Sequence, residues 1–277
     1  MGAKINILVA EPISSKGIDL LKRNDRFQVD VKLNLSEAEI QKILPEYEVL
    51  LVRSQTKVNA ALIAKGIRLR AIGRAGVGVD NVDVDAATAR GIIVMNTPGG
   101  NTISTCEHSF SMLLALARMI PQAHGSMKAA KWDRKSFEGV EVYNKTLGVI
   151  GLGRIGAEVA RRAVVFGMRV LAYDPFLSVH RAKSLQVELA ELDDIYARAD
   201  FITVHVPLTD ETKKLLGSAQ FAKMKRGVRI INCARGGIVD EKALADAIKS
   251  GQVAARRSTS TKASRRRPIF PCATCRR

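Results

Sequence analysis

No run of about 18 apolar residues occurs anywhere in the chain, so nothing in it reads as a membrane span. The N-terminus, Met1 to Pro12, lacks the long apolar run and small-residue cleavage site of a signal peptide, and Ile5 to Ala10 reads better as a first β-strand. Cysteine is scarce. Four among 277 residues are too few for a disulfide scaffold and fit a reducing cytoplasm. Two of them, Cys272 and Cys275, make a single CxxC, which offers two ligands where a structural zinc needs four; no metal is expected. No internal repeat points to a solenoid. Acid is missing from one stretch: residues 256–277 hold seven arginines and one lysine, +8 of the net +17. The other +9 is spread without long blocks, and no aromatic-interleaved basic face accompanies it. The charge reads as solvated surface, and nucleic acid is not an expected partner. What is present is 47% hydrophobic with a mean hydropathy near zero, enough for sizeable cores in a soluble protein of two ordinary domains.

Apolar, β-branched runs alternate with helical patterns for most of the length, the signature of an α/β protein. Expected strands are Ile5–Ala10, Val29–Val31, Val49–Val52, Ala71–Arg74 and Ile92–Met95. Between them lie helices at Ser36–Leu44, where Ser36 and Glu39 form a capping box, and at Asn59–Ala64. The turn-rich Thr97-Pro98-Gly99-Gly100 closes this unit. Thr102–Ile120 reads as one long helix ended or kinked by Pro121, and His124 to Asn144 as a connector with some helix. A second α/β unit follows, with strands at Thr146–Ile150, Arg169–Tyr173, Phe201–Val206 and Val228–Asn232. Its helices are expected at Ile155–Phe166, Leu192–Arg198, Ala219–Lys223 and Glu241–Ser250. After Ala255 the periodicity stops, and the segment reads as disordered.

The strongest local signal is Gly151-Leu152-Gly153-Arg154-Ile155-Gly156. A lone GxGxxG is weak, but here a strand precedes it, a helix follows, and Asp174 sits at the end of the next strand. Gly151 permits a tight turn, Gly153 lets backbone amides approach a pyrophosphate, and Gly156 allows close helix–strand packing. The helix N-terminus adds partial positive charge for the phosphates. Asp174 would accept from the ribose hydroxyls and repel the extra phosphate of NADP, so the expected cofactor is NAD.

Several segments together carry a more specific resemblance: Val52 to Val58, Gly73 to Asp83, Asn96 to Thr102, and Asn232 to Glu241. From about residue 4 to 255 the chain resembles the D-isomer-specific 2-hydroxyacid dehydrogenases, and among them the phosphoglycerate dehydrogenases. The resemblance implies two similar doubly wound parallel-sheet domains, the second a Rossmann NAD-binding domain. It also implies NAD-dependent oxidation of 3-phosphoglycerate, or another small 2-hydroxy acid, to the 2-oxo acid, which is the first step of serine synthesis. A homo-oligomer built through the NAD domain is implied as well. Carried over by position, Arg53, Ser54, Gly76, Val77 and Asn101 would line the substrate side. Gly151, Gly153, Arg154, Ile155, Gly156, Asp174, Val206, Pro207, Cys233, Ala234 and Arg235 would lie along the cofactor, with Val77 also near it. Arg235 is the expected catalytic residue, a guanidinium able to grip the substrate carboxylate in a bidentate pair and polarise the C2 oxygen.

The pattern then breaks. The family's reaction uses a histidine base paired with a glutamate, both after the Cys-Ala-Arg-Gly segment. The four histidines here are His108, His124, His180 and His205, all earlier. Read back through GC-rich codons and shifted by two bases, the residues from Ala255 give Ala-Ala-Leu-Asp-Val-Tyr-Glu-Gly-Glu-Pro, which resembles the family's next segment. The expectation is a substrate-binding domain at 1–98 without its C-terminal return segment, and an NAD domain at 99–255 without its last strands. A basic segment at 256–277, produced by a frameshift, would complete the chain, which would be inactive. A different class stays open beside this one: a non-catalytic NAD-binding protein of the corepressor kind.

Overall fold

The computed structural model describes residues 4–258, with side chains through residue 254. The chain divides into two compact units between Asn101 and Thr102. The first runs β1 (Ile5–Val9), α1 (Ser15–Lys22), β2 (Phe27–Val31), α2 (Glu37–Ile43), β3 (Val49–Val52), α3 (Ala60–Lys65), β4 (Ala71–Arg74), α4 (Val84–Ala89) and β5 (Ile93–Asn96). Its five strands form one parallel sheet in the order β2-β1-β3-β4-β5. Both faces are covered, which is why the strands read as near-continuous apolar runs. Leu8, Leu50, Val52 and Ile72 point into a core with Ile40, Leu62 and Ile63, while Ile7, Val9 and Val29 meet Ile18 and Leu21 on the other face. The capping box of α2 forms as read: Ser36 Oγ accepts from the Glu39 amide, and Glu39 reaches back to the Ser36 amide.

The second unit opens with α5 (Thr102–Ala117) and α6 (Ile120–Lys128). There follow β6 (Thr146–Ile150), α7 (Arg154–Val165), β7 (Arg169–Tyr173), α8 (Val179–Ser184), β8 (Glu188–Leu189), α9 (Leu192–Arg198), β9 (Phe201–Val204), α10 (Ser218–Lys223), β10 (Val228–Asn232), α11 (Glu241–Lys249) and β11 (Val253–Ser258). The sheet is parallel in the order β11-β10-β9-β6-β7-β8, the Rossmann winding. Alternate side chains again serve two cores. Leu147, Val149, Phe201 and Ile231 pack with α5 and α7, and Ile150, Ile202, Val204 and Ile230 with α9, α10 and α11.

Besides short elements that were not expected (α1, α4, α8 and β8), the structure departs from expectation in three places. The helix read as continuous over Thr102–Ile120 is two helices. The chain turns at Met119, whose φ of 54° is left-handed, and Pro121 lies in the first turn of α6 rather than ending α5. A first-turn proline fits there because that position has no intrahelical partner for an amide anyway. Second, β9 stops at Val204, leaving His205, Val206 and Pro207 in the loop beyond it. Third, β11 runs past Ala255 to Ser258, pairing along β10 from Val228↔Val253 to Asn232↔Ser258. A ladder is made by main-chain groups, so it continues where the side-chain pattern does not. The rest of the basic segment expected to be disordered, with Cys272 and Cys275, lies outside the described residues.

Candidate dinucleotide and substrate sites

Five of the expected cofactor positions lie just past the C-terminal end of β6. Gly151 has φ +91°, donates its amide to Tyr173 O at 2.8 Å, and leaves no room for a side chain. A Cβ there would stand 2.8 Å from Val206 Cγ1 and 2.9 Å from the His205 carbonyl oxygen. Gly156, one turn into α7, is equally constrained, because its Cβ would overlap the carbonyl oxygen of Gly151. Gly153 differs. It is the N-cap of α7 with ordinary extended angles (φ −64°, ψ −157°), and a Cβ there would meet no atom within 4 Å. No side chain caps the helix and no acid sits in its first turn, so the positive end of a 12-residue helix faces open space. Arg154 is exposed beside it, and Ile155 packs down on the core.

Asp174 follows the adjacent strand β7. Its Oδ2 accepts the Leu152 amide at 2.8 Å and its Oδ1 the Phe176 amide at 3.0 Å, which fixes the carboxylate against the glycine turn. Each oxygen keeps a lone pair for a further donor. On the other flank, the His205 amide donates to Ile150 O at 2.8 Å, so Val206 comes beside Gly151 and Pro207 follows it. The His205 ring lies 3.0 Å from Thr203 Oγ1 through Nε2, and burial pushes its pKa down to about 4. It is therefore a neutral, hydrogen-bonded ring at neutral pH. Beyond β10, buried Asn232 ties the next turn: its Oδ1 accepts the Ala234 amide at 3.0 Å, and its Nδ2 donates to Arg235 O at 3.0 Å. Cys233, Ala234 and Arg235 are thereby held half-buried, with Arg235 Nη1 donating to Ala234 O at 3.0 Å. Since β10, β9, β6 and β7 are neighbours, all these residues meet along one edge of the sheet, around the β6/β9 point where strand order reverses. Open parallel sheets receive ligands there.

The substrate-side residues of the first unit also follow strand ends. Arg53 and Ser54 are exposed just past β3, and Arg53 Nη1 lies 3.5 Å from Pro12 O. Gly76 and Val77 follow β4, where the Thr97 amide donates to Gly76 O at 3.0 Å and Asn96 Nδ2 to Val77 O at 2.7 Å. Asn101 is exposed at the last position of the unit. Reading the sequence for chemistry missed the residues that shape these turns: Asn232, Asn96, Asn81 and Glu11. Asn232 had a usable signal, an Asn two residues before a turn amide, the spacing of an Asx turn.

Residues 110–257 match the family model described as the NAD binding domain of the D-isomer specific 2-hydroxyacid dehydrogenases. That is more than half of the chain. This chain belongs to that family. It is 56% identical to the D-3-phosphoglycerate dehydrogenase of Archaeoglobus fulgidus over 251 residues, covering 91% of this chain and 47% of the relative. It is 54% identical to the same enzyme of Synechocystis over 247 residues, covering 89% and 44%. The chain thus spans about half the length of the curated relatives it matches. A crystal structure of a Thermus thermophilus protein superposes with a TM-score of 0.88 at 31% identity, covering 96% of this chain and 85% of the other. The D-lactate dehydrogenase of Aquifex aeolicus, crystallised with NAD and lactic acid, gives a TM-score of 0.81 at 29% identity, covering 93% and 77%. The expected fold class, two parallel-sheet α/β domains with a Rossmann NAD-binding domain second, is the one observed. As an NAD-binding domain of this dehydrogenase family, the second unit has the form the cofactor needs. Gly151 and Gly156 are glycine because protein atoms leave no space, whereas the space above Gly153 is open at an uncapped helix start. The described residues include no helix long and apolar enough to cross a membrane.

Proposed function

We propose that this chain carries the NAD-binding and substrate-gripping parts of a dehydrogenase for 3-phosphoglycerate, and that it does not turn over alone. Bound NAD supplies the hydride acceptor. The Gly151–Gly156 turn and the α7 N-terminus would hold the pyrophosphate, with Arg154 and Ile155 flanking it. Asp174 would hold the ribose hydroxyls, and its charge disfavours a 2′-phosphate. Val206, Pro207, Cys233, Ala234 and Val77 would wall the remainder. Arg235 would pair with the substrate carboxylate and polarise the C2 oxygen, so that C2 is presented in one orientation. Arg53, Ser54, Gly76 and Asn101 would receive the rest of the substrate. The single observation that carries the reading is the uncapped, unobstructed helix start at Gly153, bordered by Asp174 after β7 and Val206 after β9.

The oxidation also needs a base for the C2 hydroxyl proton. His205 is tied to Thr203 and strongly disfavours protonation, and the other histidines all precede it. The experiment is NADH formation from 3-phosphoglycerate, followed at 340 nm, with this chain and with one continued in the shifted frame from position 255. Activity appearing only in the continued chain is the expected result. NADH binding by both without turnover in either would instead favour the non-catalytic, corepressor-like reading. The family resemblance also supports a homo-oligomer through the NAD domain.

A further inference from the structure

The first unit has its own point of strand reversal, between β1 and β3. Glu11 lies just past β1 and Arg53 just past β3, so the two face each other across the place where such sheets take ligands. Glu11 is only 4% exposed. Its Oε1 accepts the Thr56 amide at 2.8 Å and its Oε2 the Gln55 amide at 3.1 Å. Burial pulls its pKa up, but hydrogen bonds donated by the backbone of Thr56, Gln55 and Arg53 outweigh this and hold it below the usual carboxylate range. The opposite side of the same turn is gripped by Asn81, whose Nδ2 donates to Arg53 O at 2.8 Å and Thr56 O at 2.7 Å. Asn81 is anchored in turn by the Val58 amide, which donates to Asn81 O at 2.7 Å.

We propose that Glu11 and Asn81 are positioning residues for Arg53, holding turn 53–56 by its amides from below and its carbonyls from the side so that the guanidinium is presented to an anionic substrate. The role rests on the function proposed above, in which Arg53 faces substrate. It also assigns the grip. The amides of Gln55 and Thr56 are consumed by Glu11, so an arriving anion meets the Arg53 guanidinium and the Ser54 hydroxyl rather than a backbone nest. Glutamine at position 11 has one acceptor oxygen and one amino group, so it can serve only one of the two amides.

The test is calorimetric titration of 3-phosphoglycerate into the NADH-saturated full chain, for the unaltered protein, Glu11→Gln and Asn81→Asp. Amide exchange at residues 53–57 is measured alongside. Both substitutions should weaken 3-phosphoglycerate binding about tenfold while leaving NADH affinity unchanged. Glu11→Gln should also speed exchange at Gln55 and Thr56. If Glu11→Gln lowers the melting temperature but the folded protein keeps its 3-phosphoglycerate affinity within about twofold, the role is only structural and the proposal fails. Asn81→Asp, which sets a carboxylate against two carbonyls, tests the same role independently should Glu11→Gln not fold. An unaltered chain that binds NADH but no 3-phosphoglycerate would remove the substrate reading itself, and this role with it. Faster exchange in Glu11→Gln would then show the clamp to be real but without an anion to serve.

Discussion

Gly153 and Gly156 belong to one fingerprint, yet they are glycine for different reasons, and mutation separates them. At Gly156 a methyl group would overlap the Gly151 carbonyl, a main-chain atom that cannot swing aside. Gly156→Ala should therefore cost stability, about 1–3 kcal/mol as for other overpacked sites, as well as cofactor binding. At Gly153 the backbone angles suit any residue and a methyl group meets nothing. Gly153→Ala should melt with the unaltered protein while its NADH affinity falls at least about tenfold, because the methyl occupies the pyrophosphate's place. Equal melting and equal affinity would mean that the open space is not where phosphate sits. Three glycines and an aspartate at fixed spacing were legible in the sequence because each answers a local demand. Glu11 and Asn81 were not, since their partners lie 25 or more residues away and nothing local marks a side chain that serves a distant turn.

Helices and strands were legible to the degree that they bury a face. The central strands were found within a residue or two because both their faces are apolar. Missed elements were short and shallow: α1 has no buried residue, α8 buries only Ala182, and β8 is two residues long. The reading of Pro121 as a terminator failed because proline acts differently at the start of a helix than inside one. The break lies at Met119, two residues earlier, in a left-handed conformation. Pro121→Ala should accordingly leave α5 and α6 separate. Helical ellipticity at 222 nm should not change, and stability should move by less than about 1 kcal/mol, against the roughly 3 kcal/mol a proline costs inside a helix. A clear gain in helix content would show that the proline, not Met119, interrupts the run.

At the scale of the whole chain, several large apolar side chains of the second unit remain at its surface, among them Trp132 at 76% exposure and Val165 at 84%. Trp132 is the chain's single tryptophan, so its emission reports on that surface alone. If copies associate through the NAD domain, sedimentation should show mass rising with concentration, and the emission should shift to the blue over the same range. A monomer at all concentrations with water-like emission would end that proposal. The sheet in each unit was legible as α/β, but the contrast between the two was not. Both wind to a reversal point, and the two are furnished differently. In the first unit a buried acid lies at that point and takes up the Gln55 and Thr56 amides, so a diphosphate brought there would find no donor in them. The halves are alike in winding but not in what they carry there: a glycine turn in one, and in the other an inward-facing carboxylate that occupies two main-chain amides.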